Sequence, residues 1–200
     1  MSKPDTSKAK NSKTEDKPLK PEGRRKAILI VVLCIIVALF IGGRRGLMKR
    51  RDAAERYFYG TNDNDEDSVV YYLNERISSA GNLLIIARRY LSENDKLITD
   101  VSQSCEKLEK ADDPKGKYEY NEKLTESCDA LIGQLKLQNL SSTDKSFLDG
   151  IKADMDSSLQ IMGHLEYNTT AAQFNALLGK FPTNIVRLYT FVRPLTLFDY

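Results

Sequence analysis

Few residues of this chain have the type and spacing that catalysis or metal binding requires. His164 is the only histidine, and neither an H-E-x-x-H nor an E-x-x-H pattern occurs, which removes the usual zinc and di-iron motifs. Asp154 and Asp156 are two carboxylates, but side chains two residues apart on a helix point away from each other. The chain also lacks a nucleophile elbow, a P-loop and a G-x-G-x-x-G run. We predict no catalytic residue, no metal site, no cofactor and no enzymatic activity.

The three cysteines do not form a redox or disulfide motif. Cys34 lies in an apolar stretch, Cys105 and Cys128 stand singly in helical patterns, and no C-x-x-C pair occurs. We interpret all three as small buried apolar residues.

The stretch that organises the chain is AILIVVLCIIVALFI, residues 27–41, which contains fifteen apolar residues in succession. Basic residues flank it on both sides, with Arg24, Arg25 and Lys26 before it and Arg44 and Arg45 after Gly42 and Gly43. As a helix, residues 27–43 would be about 26 Å long, slightly shorter than a hydrocarbon core of roughly 30 Å. Lysine and arginine side chains that reach the headgroups compensate for the difference. We predict a retained transmembrane helix at residues 27–43.

Two other interpretations of this stretch are weaker. A cleaved signal peptide would need small residues after its apolar core, but Arg44 and Arg45 stand there. Lipid modification of Cys34 does not fit either, because Cys34 lies in the middle of the apolar stretch. A buried core helix rarely carries so long an apolar run between pairs of arginines.

The charge is distributed unevenly along the chain. Residues 1–26 carry nine Lys or Arg and four Asp or Glu, whereas residues 44–200 carry 21 basic and 24 acidic side chains, a net charge of −3. A slightly acidic domain argues against nucleic-acid binding, which needs a basic face. We predict a basic disordered tail at residues 1–26, a juxtamembrane connector at 44–66, interrupted at Gly60–Asp67, and a helical domain at 67–200.

Heptad spacing predicts the helices of that domain. From Leu73 to Leu108 the seam residues recur in steps of four and three without a break, which predicts one long helix with Asn94 as its only strongly polar seam member. The spacing alone leaves two interpretations of Asn94, a solvated position or a contact that sets the helix register. A turn at Asp112–Gly116 separates this helix from a second at about 117–137.

Two more helices complete the predicted fold. Ser141 and Asp144 start a third helix that keeps the heptad pattern to Ala176 and ends at Gly179. A short helix at about 183–192 and a docked apolar terminus follow. The predicted fold class is all-α: a single N-terminal transmembrane helix followed by an elongated antiparallel three- to four-helix bundle.

The C-terminal part of the chain resembles the closing signature of the LemA family. In that family a YN pair, a second similar pair seven residues later, an FP turn and an aromatic-acidic end follow one another. The corresponding residues here are Tyr167-Asn168, Phe174-Asn175, Phe181-Pro182 and Phe198-Asp199. Glu166 stands where a basic residue is common in the family, so this part of the signature differs. The resemblance implies a membrane-anchored antiparallel helical bundle without established enzymatic activity.

The residues of this signature also have a physical interpretation. Asn168 and Asn175 are seven residues apart, so they lie on one face of a helix about two turns apart. An asparagine side chain can hydrogen-bond carbonyls that another helix leaves unpaired where it ends. We predict that both asparagines fix the C-terminal segment, with Phe181 and Phe198 as apolar plugs. Partner binding by these residues remains the alternative.

These observations predict a scaffold or protein-interaction platform in the cell membrane. Its expected partners are membrane lipid and other proteins, homo-oligomers are conceivable, and nucleic acid is not expected. The long charged tail favours a cytoplasmic N-terminus, with the helical domain outside the cytoplasm. The alternative is a membrane-tethered sensor that binds a ligand and signals through a separate partner.

Overall fold

The computed structural model describes residues 21–62 and 65–198, and all regular elements in these ranges are α-helices. They are α1 Pro21–Tyr59, α2 Val69–Tyr90, α3 Lys96–Lys110, α4 Pro114–Leu135, α5 Ser142–His164, α6 Glu166–Gly179 and α7 Thr183–Thr190. The chain divides into two units, of which the first ends at Ile41 and the second begins at Gly42.

The first unit consists, in its described part, of the N-terminal portion of α1. Large apolar side chains are exposed along it, and Leu29 and Leu39 are 68% and 64% exposed. Among the described residues, this helix is the one that is long and apolar enough to cross a membrane. Residues 21–26 of the predicted basic tail belong to α1, and residues 1–20, for which disorder is also predicted, lie outside the described residues.

The second unit begins with the rest of α1, which ends where the sequence predicted an interruption. Gly60 follows the last helical residue with φ +74°, a left-handed conformation that favours glycine, and its N–H donates to the Arg56 carbonyl. Ser68 then caps α2, because its hydroxyl accepts a hydrogen bond from the Tyr71 N–H at 3.2 Å. Of the predicted connector at 44–66, residues up to Tyr59 are therefore helical.

Side-chain caps fix the starts of three further helices. Asp95 accepts from the Leu97 N–H at the start of α3, and Ser141 accepts from the Asp144 N–H at the start of α5. Asp113 caps α4 and is followed by Pro114, whose missing N–H costs nothing in the first turn of a helix. The predicted turn at Asp112–Gly116 therefore contains the start of α4.

The prediction of one continuous helix from Leu73 to Leu108 is wrong. The chain leaves the helix at Leu91 and re-enters it after the Asp95 cap. Asn94 lies exposed in the intervening turn, so the register-setting contact considered for it is wrong as well. Ser, Asn and Asp side chains compete with helical hydrogen bonding, which explains why the helix does not continue through Ser92–Asp95.

The third predicted helix is also divided. It separates at Leu165, with ψ 151°, into α5 and α6, although its apolar spacing continues across the break. The last short helix is present as α7, and the chain beyond Thr190 turns at Phe191, which has φ 55°.

The core of the second unit lies mainly between α2 and its neighbours. α2 packs against α3, α4 and α5, and α3 packs against α4. The buried side chains of α2 follow heptad spacing for most of its length: they are Val69, Leu73, Arg76, Ala80, Leu83, Leu84, Ile86 and Ala87. Arg76 is the charged member of this row.

Candidate functional site

The C-terminal segment, residues 192–198, lies without helical structure against α6. Val192, Leu195 and Phe198 are buried, and the residues between them are exposed or half-buried. A burial period of three is that of the polyproline II helix rather than of a β-strand. The segment therefore buries every third side chain.

Two asparagines of α6 bind the backbone of this segment. The Asn175 side chain donates to the Leu195 carbonyl and accepts from the Leu195 N–H, both at 2.8 Å. Asn168 pairs in the same way with Phe198, at 2.9 Å to the carbonyl and 2.7 Å from the N–H. Each asparagine side chain thus hydrogen-bonds both the backbone N–H and the backbone C=O of a residue that lies outside the helices. The hydrogen bonds predicted between these asparagines and the C-terminal segment are present.

The spacing of the two asparagines matches that of their targets. Seven residues of α-helix rise about 10.5 Å, and three residues of extended chain cover about 9–10 Å. Since Asn168 pairs with Phe198 and Asn175 with Leu195, the segment runs in the direction opposite to α6. We call this arrangement of Asn168, Asn175, Leu195 and Phe198 the C-terminal clasp.

Asn168 also binds the end of α5. Its amide nitrogen lies 2.8 Å from the Met162 carbonyl oxygen, which also accepts from the Leu165 N–H, and 3.0 Å from the Gly163 carbonyl oxygen. Both carbonyls belong to the last turn of α5, where helical donors run out. Next to it, the Tyr167 hydroxyl donates to the Thr196 carbonyl at 2.6 Å. Asn168 therefore binds both the end of α5 and the C-terminal segment, and Tyr167 adds a further hydrogen bond to that segment.

An aromatic cluster surrounds the end of the segment. The Phe198 ring lies 5.4 Å from Phe58 of α1, 5.3 Å from Tyr118 of α4 and 6.1 Å from Tyr167, measured between ring centroids. Phe58, Tyr167 and Phe198 are fully buried. Burial raises the pKa of the Tyr167 hydroxyl, and the nearby Glu55 carboxylate adds to this shift. The cluster thereby joins the C-terminal segment to the helix that carries the apolar stretch.

The remaining residues of the signature have different environments. Phe174 is buried, but Phe181 is 80% exposed, so the apolar plug predicted for Phe181 is wrong. Phe181 and Pro182 lie in the turn between α6 and α7, and their peptide bond is cis.

Arg76 is a buried polar centre that the sequence interpretation missed. Its guanidinium donates to Asn121 Oδ1 at 2.7 Å, to Thr125 Oγ1 at 2.6 Å and to the Met155 carbonyl at 2.5 Å. These partners belong to α4 and α5, so one side chain connects three helices. The heptad step of three from Leu73 points to position 76, but a search limited to apolar residues passes over an arginine.

Asp144 forms a second polar centre, at the start of α5. Its carboxylate accepts from Arg89 Nη1 and the Tyr90 hydroxyl, both at 2.6 Å, and from the Ser141 hydroxyl at 2.9 Å. Hydrogen bonds from Tyr90 and Ser141, together with the Arg89 charge, hold the pKa of Asp144 below its usual value. These bonds join the end of α2 to the start of α5.

An apolar groove lies beside this second centre. It has a volume of about 400 Å³ and is bordered by α2 residues at positions 82, 85, 86 and 89 and by α5 residues at 147, 150, 151 and 154. Ile85 is 53% exposed and Phe147 is 62% exposed. A side chain added at Gly150 would meet no atom within 4 Å, so the glycine leaves open space in the groove.

No group of three or more His, Cys, Asp or Glu side chains that could hold a metal ion occurs within 21–62 and 65–198. Burial raises the pKa of the Cys105 thiol to about 11 and that of Cys128 to about 12. Both are therefore thiols, and weak nucleophiles, at neutral pH.

Comparisons of this chain with protein-family models, with curated proteins and with solved structures give no match.

Proposed function

We propose that this chain is a single-pass membrane protein whose helical domain is a scaffold that binds other proteins and carries out no catalysis. The observation that carries the proposal is the apolar groove between α2 and α5. Exposed Ile85 and Phe147 border it, while Arg89, Asp144 and Asp154 provide a polar rim. Apolar surface rimmed by polar groups is typical of protein-interaction sites.

The shape of the groove favours an amphipathic helix as its occupant. Each border contributes residues at spacings of three and four, so the apolar strip extends for about two helical turns, or about 10 Å. A partner helix recognised in this way would contribute apolar residues at i, i+3, i+4 and i+7. Arg89, which is exposed at one end of the groove, would bind acidic or polar groups that flank this apolar face.

The helical domain is proposed to be an antiparallel bundle. The order of contacts between α2 and α5 supports this topology. Tyr90, the last residue of α2, bonds Asp144 near the start of α5, whereas Arg76, nearer the start of α2, bonds Met155 farther along α5. Membership of the LemA family remains a proposal that rests on the residue signature, in which the two asparagines of the clasp are central.

The transmembrane placement of residues 27–43 and a domain outside the cytoplasm are part of the same proposal. The exposed apolar surface of α1 supports membrane insertion, since no part of the most apolar window of that helix is buried. Resistance of the full-length protein to alkaline extraction from membranes tests the anchor. Protease protection of an epitope at either end of the chain in intact cells tests the orientation.

Site-specific photocrosslinking in cells tests the interaction surface. Ser146 borders the groove, so a photoreactive residue there should capture a reproducible set of proteins. The matched control is Glu109, which is exposed on α3 away from the residues that border the groove. Equal capture at both positions, or none at Ser146, would contradict the proposal. Capture of a small molecule alone would favour the sensor, and capture of the same chain alone would favour self-association.

A further inference from the structure

The short helix α7 lies beside Gly43, two residues after the apolar stretch 27–41. Val186 of α7 packs so closely on Gly43 that an added Cβ would lie 2.9 Å from Val186 Cγ1. Gly43 is the last residue of the predicted span, and Arg44 and Arg45 follow directly. If residues 27–43 cross the hydrocarbon core, α7 lies at the level of the lipid headgroups.

The apolar residues on the other side of α7 are exposed. Ile185, Leu188 and Phe191 follow one another at steps of three, which places them along one side of the helix and its end. They are 48%, 76% and 84% exposed, and Phe181 in the preceding turn is 80% exposed. We call these four residues the α7 face. Apolar side chains exposed to water to this extent are unfavourable, and lipid would remove them from water.

The charge around the α7 face favours an anionic surface. From residue 167 to residue 198 the sequence contains three cations, Lys180, Arg187 and Arg193, and no Asp or Glu. Arginine and lysine beside exposed leucine and phenylalanine are typical of helices that lie in the membrane interface. Basic residues near an anionic leaflet are attracted to it, and their stems can cover apolar surface while the charges reach the phosphates.

We propose that the α7 face is a membrane-binding surface that inserts into the headgroup region of anionic lipid at the level where the chain leaves the hydrocarbon core, at Gly43. This inference rests on the proposed anchor, because the position of Gly43 sets the depth of α7. The domain would then contact the bilayer through the α7 face in addition to its covalent link to the anchor.

Single-tryptophan variants of the full-length protein test this, because the natural chain contains no tryptophan. Leu188→Trp reports on the α7 face, Leu39→Trp on the anchor and Leu137→Trp on a residue that is 79% exposed outside both. Each is reconstituted in vesicles of phosphatidylcholine with phosphatidylglycerol, with and without brominated acyl chains. We expect bromine to quench Leu39→Trp and Leu188→Trp at least twofold more than Leu137→Trp. We also expect weaker quenching of Leu188→Trp when Lys180, Arg187 and Arg193 are replaced by Gln.

The outcomes separate the two proposals. Quenching of Leu39→Trp without quenching of Leu188→Trp would overturn the membrane-binding surface and leave the anchor intact. Quenching of neither would overturn both. Blue-shifted Leu188→Trp emission that bromine does not quench would show that protein, such as a second copy of the chain, covers the α7 face, and would also overturn the inference.

Discussion

The side chain of Asn175 forms two hydrogen bonds with the backbone of Leu195, each 2.8 Å long, and thereby replaces the partner that a neighbouring strand or helical turn would supply. Asn168 binds Phe198 in the same way. These bonds involve only backbone N–H and C=O groups of the C-terminal segment. They therefore fix its position whatever side chains it carries. Side-chain specificity comes from the aromatic cluster that receives Phe198.

Replacement of either asparagine of the clasp is expected to destabilise the domain. Asn175→Ala leaves the N–H and C=O of Leu195 without protein partners, and such a loss costs about 1–3 kcal/mol. Asn175→Asp keeps the shape but removes the donor to the Leu195 carbonyl, so it should also lower the melting temperature. Thermal unfolding of the full-length protein in detergent, followed by circular dichroism, measures both. Gln173→Ala, at an exposed position of α6 outside the groove, is the control and should melt like the wild type. Unchanged melting of the Asn175 variants with loss of crosslinked partners would instead assign this residue to partner binding.

Two phenylalanines near the C-terminus provide a matched comparison. Phe198 is fully buried between three aromatic rings, whereas Phe181 is 80% exposed. Phe198→Ala should therefore destabilise the domain by about 3–5 kcal/mol, the usual cost of removing a buried aromatic ring. Phe181→Ala should change the free energy of unfolding, measured with urea in detergent, by less than about 0.5 kcal/mol. Equal effects of the two substitutions would contradict the burial of Phe198 in the aromatic cluster.

Arg76 should tolerate no conservative replacement. Its three hydrogen bonds point to Asn121, Thr125 and the Met155 carbonyl, and a lysine ammonium cannot reproduce this planar arrangement. We expect Arg76→Lys and Arg76→Met each to cost about 2–4 kcal/mol, because buried acceptors lose their donors. The same urea titration measures this, with Arg88→Lys at an exposed position as the control. A wild-type unfolding midpoint for Arg76→Met would show that the guanidinium does not hold the three helices together.

Asp144 should make the stability of the domain depend on acidic pH. Its pKa in the folded protein is lowered, so its stabilising contribution is complete above the usual aspartate value of 3.8. The contribution decreases as the pH falls below that value and through the lowered pKa. The difference in unfolding free energy between the wild type and Asp144→Asn should therefore be constant above about pH 5 and decrease below about pH 4. Asp149→Asn, an exposed position on the same helix, serves as the control. A difference that grows on acidification would contradict the assigned direction of the shift.

Helix boundaries can be predicted from the sequence where a capping residue or a glycine near the boundary determines them. Ser141 caps α5 at the predicted position, and Gly60 ends α1 within the predicted interruption. Asp95, which caps α3, is a residue type that commonly starts a helix and so indicates a break after α2. The apolar heptad spacing continues across the turn, however, and predicts one uninterrupted helix.

The break at Leu165 has no comparable local signal. No Gly or Pro follows directly, and α6 has no side-chain cap. The break instead depends on Asn168, whose amide binds the last carbonyls of α5 while it also holds Phe198. Tertiary contacts of this kind cannot be derived from periodicity.

In the candidate functional site, too, some features can be predicted from residue spacing and others depend on tertiary contacts. The spacing of Asn168 and Asn175 predicted their shared task, because seven residues define a helix face. Which phenylalanine is buried could not be predicted, since Phe181 and Phe198 differ only in what the folded chain places around them. Arg76 was missed because burial of an arginine depends on acceptors that come from two other helices.

The crosslinking of Ser146 in cells that carry Phe147→Glu tests the central claim most directly. Phe147 is 62% exposed beside the groove, so the substitution should leave the melting temperature of the purified protein nearly unchanged while it places a charge where an apolar helix would bind. We predict that the proteins captured at Ser146 in the wild type are lost in Phe147→Glu and retained in Leu137→Glu, where an exposed apolar residue outside both the groove and the α7 face is replaced. Capture of the same proteins with equal yield in all three would contradict the proposal that this groove is the interaction site.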